Sequence, residues 1–189
     1  CLYDCSGVTD GAAGLILMSE EKAREVSDEA AWITGSGQAC FSGNSINNLP
    51  SMSAWPQATT AAEQAYDQAG IDDPLEELDV AEVHDCFSIS EIVEYEDLGW
   101  VEKGEGGKFI EDGRSELDGD IAVNPRGGLL GCGHPLGATG VSQALEVFNQ
   151  FRGTVESDRQ VPAPETGLIH NLSGSASVHS VMTLSRERP

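Results

Sequence analysis

Apolar positions along the chain alternate between two spacings, and the switches between them mark out the elements. Ala61, Ala62, Ala65, Tyr66 and Ala69 keep the three-to-four spacing of one helical face, and the stripe stops at Gly70. Thr60 followed by Glu63 has the form of a capping box and predicts the start of that helix. Ser88 with Glu91 is a second such box, opening a helix that carries Ile89, Ile92, Val93 and Leu98 and closes at Gly99. The clearest stripe runs through Val141, Ala144, Leu145, Phe148 and Phe151, with Gly153 behind it. Short apolar runs at Val80–Val83, Gly167–Leu172 and Val178–Leu184 read as strands, the last two joined by the small-residue turn Ser173–Ser177. Trp32–Ile33 reads as a further short strand, and Thr9-Asp10-Gly11 as a turn into a buried apolar segment, Ala12–Met18, with a polar exit over Ser19–Arg24. Gly35–Asn48 reads as loop, Pro74–Leu78 as a connection, and Glu102–Asp120 as a long polar excursion. Strands alternating with helices predict an α/β fold, with helices packed on a mixed sheet.

Charge narrows the range of partners. The formal net charge is −22, with 10 basic against 32 acidic residues. Nucleic acid and anionic membranes are excluded as partners, because phosphate recognition needs Lys and Arg. The acids do not form a tail. They recur in short groups such as Glu20–Glu21, Asp72–Asp73, Glu76–Glu77 and Glu111–Asp112. A dispersed acidic skin of this kind predicts a protein adapted to high salt, where screening removes self-repulsion. The 5 cysteines include no C-x-x-C pair, so neither a zinc site nor a disulfide framework is indicated. No apolar run approaches the length of a membrane span and no signal segment is evident, so a soluble protein with reduced thiols in the cytoplasm is expected.

Three segments place polar or reactive side chains where a strand gives way to a loop, the edge at which open α/β sheets bind ligands. The first is Glu82-Val83-His84-Asp85-Cys86-Phe87-Ser88. His84 and Cys86 fall just before a predicted helix N-terminus, which would ease loss of the thiol proton. A lone cysteine is usually a small buried hydrophobe and a lone histidine a satisfied core residue. Finding both in one junction makes a functional role an equal contender. The second is the glycine-rich stretch from Gly127 to Gly140, containing Gly133-His134-Pro135. Its leucines argue against a flexible linker, and it lacks the spacing and lysine of a phosphate loop. His134, pinned between glycine and proline, suits acid/base work or donation to an oxyanion. The third is Asn171-Leu172-Ser173-Gly174-Ser175-Ala176-Ser177, which taken alone is a plain hairpin.

In this order, and over essentially the whole chain, these segments resemble the C-terminal half of a thiolase. Cys5-Ser6-Gly7-Val8-Thr9-Asp10-Gly11-Ala12-Ala13 is similar to the family segment ending in Asp-Gly-Ala-Ala, and Gly-His-Pro running on to Gly-Ala-Thr-Gly is the most specific match. His84-Asp85-Cys86-Phe87 marks the branch of sterol-carrier-protein-X and archaeal acetyl-CoA acetyltransferases. The resemblance implies the layered thiolase-like fold, a mixed sheet with helices on both faces. Residues 1–30 would end the N-terminal thiolase domain and 31–189 would form the C-terminal one. It implies an acyltransferase that condenses two acetyl-CoA into acetoacetyl-CoA, or runs the reverse thiolysis, in isoprenoid-lipid synthesis. His134 would deprotonate the nucleophilic cysteine and hold the enolate oxygen. His84 would share that oxyanion hole, and Cys86 would move the α-carbon proton. Ser6 and Gly133 would contact substrate, and Gly174 would offer backbone N–H to the thioester oxygen.

Two departures accompany the resemblance. The nucleophilic cysteine belongs to the N-terminal half, so this chain alone is expected to be inactive. The acid/base cysteine that many thiolases carry in a final Cys-x-Gly turn is replaced here by Leu172, or by Asn171 in the adjacent register, leaving Cys86 for the role. Coenzyme A thioesters are the implied substrates, with no cofactor and no metal. The implied partners are further copies of the chain, a small zinc-containing OB-fold protein and a hydroxymethylglutaryl-CoA synthase. The alternatives are a degradative 3-ketoacyl-CoA thiolase for longer chains and a non-catalytic thiolase-like subunit that binds acyl-CoA.

Overall fold

A computed structural model describes residues 1–41 and 51–188. After a single 3-10 turn, Leu2–Asp4, the elements run α1 (Glu20–Val26), β1 (Trp32–Cys40), α2 (Pro56–Ala69), α3 (Pro74–Glu77), β2 (Val80–Glu82), α4 (Ser88–Asp97) and α5 (Gly106–Glu111). They continue with β3 (Ala122–Val123), α6 (Gly128–Cys132), α7 (Leu136–Arg152), β4 (Thr166–Ser173) and β5 (Val178–Ser185). The strands form one five-stranded sheet in the order β1-β5-β4-β2-β3. β5 pairs antiparallel with both of its neighbours, while β4, β2 and β3 pair in parallel. The C-terminal ends of β2, β3 and β4 therefore share one edge of the sheet, and each of the three candidate segments leaves from it.

Alternation along the strands sorts side chains onto two covered faces. Ala81, Val83, Leu168 and Val181 pack with Ala61, Ala65 and Tyr66 of α2 and with Tyr95, Leu98 and Phe109 of α4 and its neighbours. On the opposite face Val80, Ala122, Ile169 and Leu184 pack with Val147 and Phe151 of α7. The expected mixed sheet with helices on both faces is the fold observed. No helix among the described residues is long and apolar enough to cross a membrane.

Several local expectations are corrected. β1 runs nine residues to Cys40, where only Trp32–Ile33 was expected as strand. Its glycines are there for close approach. A Cβ at Gly35 or Gly37 would overlap the carbonyl oxygen of Ala65 or Ala61, so the small residues of both elements let α2 lie directly on the strand. The remainder of the Gly35–Asn48 stretch, from residue 42, lies outside the described residues. Neither capping box forms. α2 starts at Pro56, whose missing N–H suits the first turn, and the preceding Trp55 N–H donates to Asp97 Oδ2 at 2.7 Å. Glu91 instead accepts the Tyr95 hydroxyl, and Ser88 Oγ donates to Asp4 Oδ1 at 3.4 Å. The Glu102–Asp120 excursion contains α5 and buries Phe109 against Tyr95, with ring centroids 5.2 Å apart. Ser19–Arg24 is mostly helix, capped by Ser19. The segment Ala12–Met18 has no regular structure, and Ile16 is 84% exposed because no described element packs on it.

The Gly37 contact is testable. Gly37→Ala in the full-length protein is expected to cost at least about 2 kcal/mol through overpacking against helix backbone, read as a lower urea midpoint. A neutral result would mean that α2 does not lie on β1 this closely.

Candidate active site

β2 ends at Glu82, and the chain continues through Val83 to His84, Asp85 and Cys86 before α4 begins. Asn124, just past β3, holds this exit: its Oδ1 accepts the Val83 N–H at 2.9 Å. Asp85, 3% exposed, then reaches across to α6 and accepts the Leu129 N–H at 2.6 Å and the Leu130 N–H at 3.3 Å. Gly128 has φ 61°, and any Cβ there would overlap the Asp85 carboxylate, so glycine is required on both counts. Burial raises the pKa of Asp85, and its backbone hydrogen bonds oppose that.

This bridge brings the two histidines together. The rings of His84 and His134 meet edge to face with centroids 4.9 Å apart. His84 is 3% exposed, and its Nδ1 has no hydrogen-bond partner among the described residues. Burial, then the neighbouring rings of His134 and His179, push its pKa down to about 3, so it is neutral. His134 is part-buried and oriented by Thr139, with Nδ1 and Oγ1 2.7 Å apart. Its pKa is lowered by burial, with Asp85 opposing. A neutral imidazole is the form that can accept a proton.

Cys86 behaves differently from expectation. The helix N-terminus beside it was expected to ease loss of its proton, yet its pKa is raised to about 11. Burial is the main cause, the carboxyl groups of Glu94 and Asp85 add to it, and the opposing hydrogen bond from Ser90 is smaller. At neutral pH Cys86 is a thiol and hence a proton donor. Cys132 donates to the Arg126 carbonyl at 2.8 Å, which gives it a packing contact beside the histidine loop.

The N-terminal segment lies against both histidine-bearing segments. Ser6 N–H donates to Cys86 O at 2.9 Å, Cys5 bridges to Phe87, and Val8 bridges to His134. Gly133 has φ 89°, and a Cβ there would meet Thr9 Oγ1 at 2.8 Å. Ser6 and Gly133 are thus both brought to the histidines through the backbone. Gly174 sits apart from that pair, in the turn after β4, where its carbonyl accepts Ser177 Oγ at 2.5 Å. The turn is tied to α7 through Asn171 Nδ2, which donates to Gln143 Oε1 at 2.9 Å. Gln143 in turn donates to Val83 O at 3.0 Å. Among the described residues, no group of three or more His, Cys, Asp or Glu is arranged to hold a metal ion.

A model described as Thiolase C-terminal domain-like matches residues 37–186. The chain belongs to the thiolase family. It is 45% identical over 186 residues to an acetyl-CoA acetyltransferase of Methanothermobacter thermautotrophicus, covering 98% of this chain and 47% of that one. It is 37% identical over 190 residues to sterol carrier protein 2 of Bos taurus, covering 97% and 34%. Among solved structures, an Ltp2-ChsH2(DUF35) aldolase superposes with TM-score 0.78 at 25% identity, over 90% of this chain and 43% of that one. An acetyl-CoA acetyltransferase of Bacillus anthracis superposes with TM-score 0.66 at 22% identity, covering 97% and 38%, a likeness of fold. This thiolase chain spans about half the length, or less, of the curated relatives it matches.

Asp85 and Thr139 were not singled out by the sequence reading. Asp85 could have been found from its place between His84 and Cys86, opposite the paired glycines Gly127–Gly128. Thr139 lies in the same Gly-Ala-Thr-Gly run that marks the family, five residues beyond His134.

Two outcomes follow for the full-length thiolase. Asp85→Ala leaves the Leu129 and Leu130 N–H groups without their acceptor and is expected to cost about 2 kcal/mol, measured by urea unfolding. The depressed pKa of His134 means that its neutral form persists below pH 6.5, the usual histidine value. The acid limb of kcat/KM should therefore fall below that value, and a limb above it would remove His134 as the base.

Proposed function

We propose that this chain is the C-terminal part of an acetyl-CoA acetyltransferase and supplies the histidine and acid/base half of its site. The close edge-to-face pairing of His134 with the buried, neutral His84 carries the reading, since it gathers a base and an oxyanion partner at one sheet edge. Names of archaeal acetyl-CoA acetyltransferases among the relatives support the acetyl substrate.

In the synthetic direction His134 takes the proton of the nucleophilic cysteine, which lies outside this chain. The thiolate attacks acetyl-CoA and the C–S bond to CoA breaks, leaving an acetyl-enzyme. A second acetyl-CoA loses its α-proton, and its carbon attacks the acetyl carbonyl while the cysteine thiolate leaves. His134 and His84 donate to the enolate oxygen, and the Gly174 turn offers N–H to the thioester oxygen of the acetyl-enzyme. Cys86 is the acid/base at the α-carbon. A thiol with a pKa near 11 is ready to protonate the departing acetyl-CoA carbanion, which suits thiolysis; condensation requires its proton to be drawn off first. Ser6 and Gly133 would border the thioester arm. Coenzyme A thioesters are the substrates, and no cofactor is required.

We assign residues 1–30 to the end of the N-terminal domain and 31–189 to the C-terminal one. A homo-oligomer and subunit partners fit the likeness to the Ltp2-ChsH2(DUF35) aldolase and the similarity to a benzoylsuccinyl-CoA thiolase subunit of Thauera aromatica. The net charge of −22 supports an enzyme of a high-salt cell.

The test is thiolysis of acetoacetyl-CoA in molar KCl by the full-length enzyme. Coenzyme-A-dependent loss of the enolate absorbance is expected, with His134→Ala slower by about 10²–10⁴-fold, the usual worth of a general base. Turnover surviving in the variant would remove His134 from the mechanism. The thermal midpoint should also rise with KCl as like charges are screened; a midpoint falling with salt would end the high-salt reading.

A further inference from the structure

Three buried ionisable side chains take no direct step in the proposed reaction. Glu94, His170 and His179 are each 0% exposed, and they lie in line on the face of the sheet that packs against α4. His170 Nε2 and His179 Nδ1 are 3.0 Å apart, with the two rings stacked at 5.2 Å. His179 Nε2 is 3.0 Å from the carbonyl oxygen of Ala176. At the other end Glu94 Oε2 accepts the His84 backbone N–H at 3.0 Å and faces His170 Nδ1 across 3.4 Å. His170 Nδ1 makes no hydrogen bond among the described residues, and the 3.4 Å approach of Glu94 Oε2 is its ion-pair contact. The row therefore runs from the backbone of His84 to the turn that carries Gly174.

Elimination fixes the protons along it. A carbonyl oxygen can only accept, so His179 Nε2 carries a proton. A neutral His179 then presents a bare Nδ1, which must accept from His170 Nε2. His170 Nδ1 is left sharing one proton with Glu94, so the pair is net neutral wherever that proton rests. Burial, with the like charges of Glu91, Asp85 and Asp97 facing the carboxyl and the rings of His179 and His84 facing His170, keeps the proton on Glu94. Burial also keeps His179 neutral, against the opposing pull of Ala176 O and Asp97.

We propose that Glu94, His170 and His179 form one hydrogen-bonded tie, both imidazoles carrying their proton on Nε2, that fixes the His84 backbone relative to the Gly174–Ser177 turn. The turn needs such an anchor. Ser175 and Ala176 both hold positive φ, 55° and 60°, a costly conformation for residues with a side chain. Reversing any ring in this dry interior sets donor against donor or acceptor against acceptor. All three are positioning residues, and the catalytic consequence rests on the thiolase reading, in which the two ends of the tie hold the two oxyanions.

The test is nitrogen NMR of the full-length enzyme labelled at histidine, with signals assigned from single variants. His170 and His179 are expected as neutral Nε2–H tautomers that do not titrate between about pH 6 and 8, where an ordinary histidine does. A cationic ring, or an Nδ1–H tautomer at His179, would overturn the tie. In thiolysis, His179→Leu should lower kcat about tenfold, the rate equivalent of one hydrogen bond, with KM little changed. His179→Gln, whose amide both accepts and donates, should return kcat to within about threefold of wild type. Full kcat in His179→Leu would overturn the positioning role. Should that variant not fold, the wild-type tautomers decide alone. They are read whether or not acetoacetyl-CoA is turned over, so failure of the tie and failure of the thiolase reading are told apart.

Discussion

One buried carboxyl group ties the candidate site together across the edge of the sheet. Asp85 leaves the end of β2 and accepts the first free N–H groups of α6, which pulls the glycine-rich stretch back over the sheet. Beside that bridge the two histidine-bearing segments are joined through Asn124, through the Arg126–Glu82 ion pair and through the N-terminal segment that lies against both. His84 and His134 stand edge to face, and the position that would otherwise obstruct the carboxylate is Gly128. The arrangement commits the helical N–H groups to an internal acceptor, which fixes α6.

Burial acts in the same direction on each group around that edge. It lowers the histidines and raises the carboxyls and the thiol, so each is pushed toward its neutral form. A developing oxyanion gains most from a fixed donor where few other charges compete for it. The acidic surface contrasts with this. Its charges sit on solvent-facing positions such as Glu76 and Glu77 in the first turn of α3, where salt can screen them, and Arg126–Glu82 is one of the few deeply placed ion pairs, at 2.8 Å.

Small residues serve two different ends. Along β1 and α2, glycine and alanine allow backbone to lie against backbone and set the distance of a whole layer. At Gly128 and Gly133 they permit positive φ beside Asp85 and His134. In the hairpin after β4, positive φ falls on Ser175 and Ala176 as well as on Gly174, and neighbouring side chains must hold what glycine allows freely.

Much of the fold was legible in the sequence. Helical stripes on α2, α4 and α7 and the paired apolar runs of β4 and β5 are local patterns, and local patterns survive into the structure because each decides which face is buried. His84, Cys86 and His134 were legible too, as reactive residues at strand ends in a recognisable order. Other features depended on partners distant in sequence. Gly35 and Gly37 read as loop because only the approach of α2 explains them. The Ser88 and Glu91 box gave way to Asp4 and Tyr95, neither of which a window around the helix start would weigh. The expected ease of proton loss from Cys86 reversed because burial and two carboxyls, one of them Glu94 in the second half of α4, outweigh a nearby helix end. Local order thus came from the sequence itself. Which groups are dry, which charges meet, and hence how each titrates, came from tertiary packing, because desolvation depends on everything that surrounds a side chain.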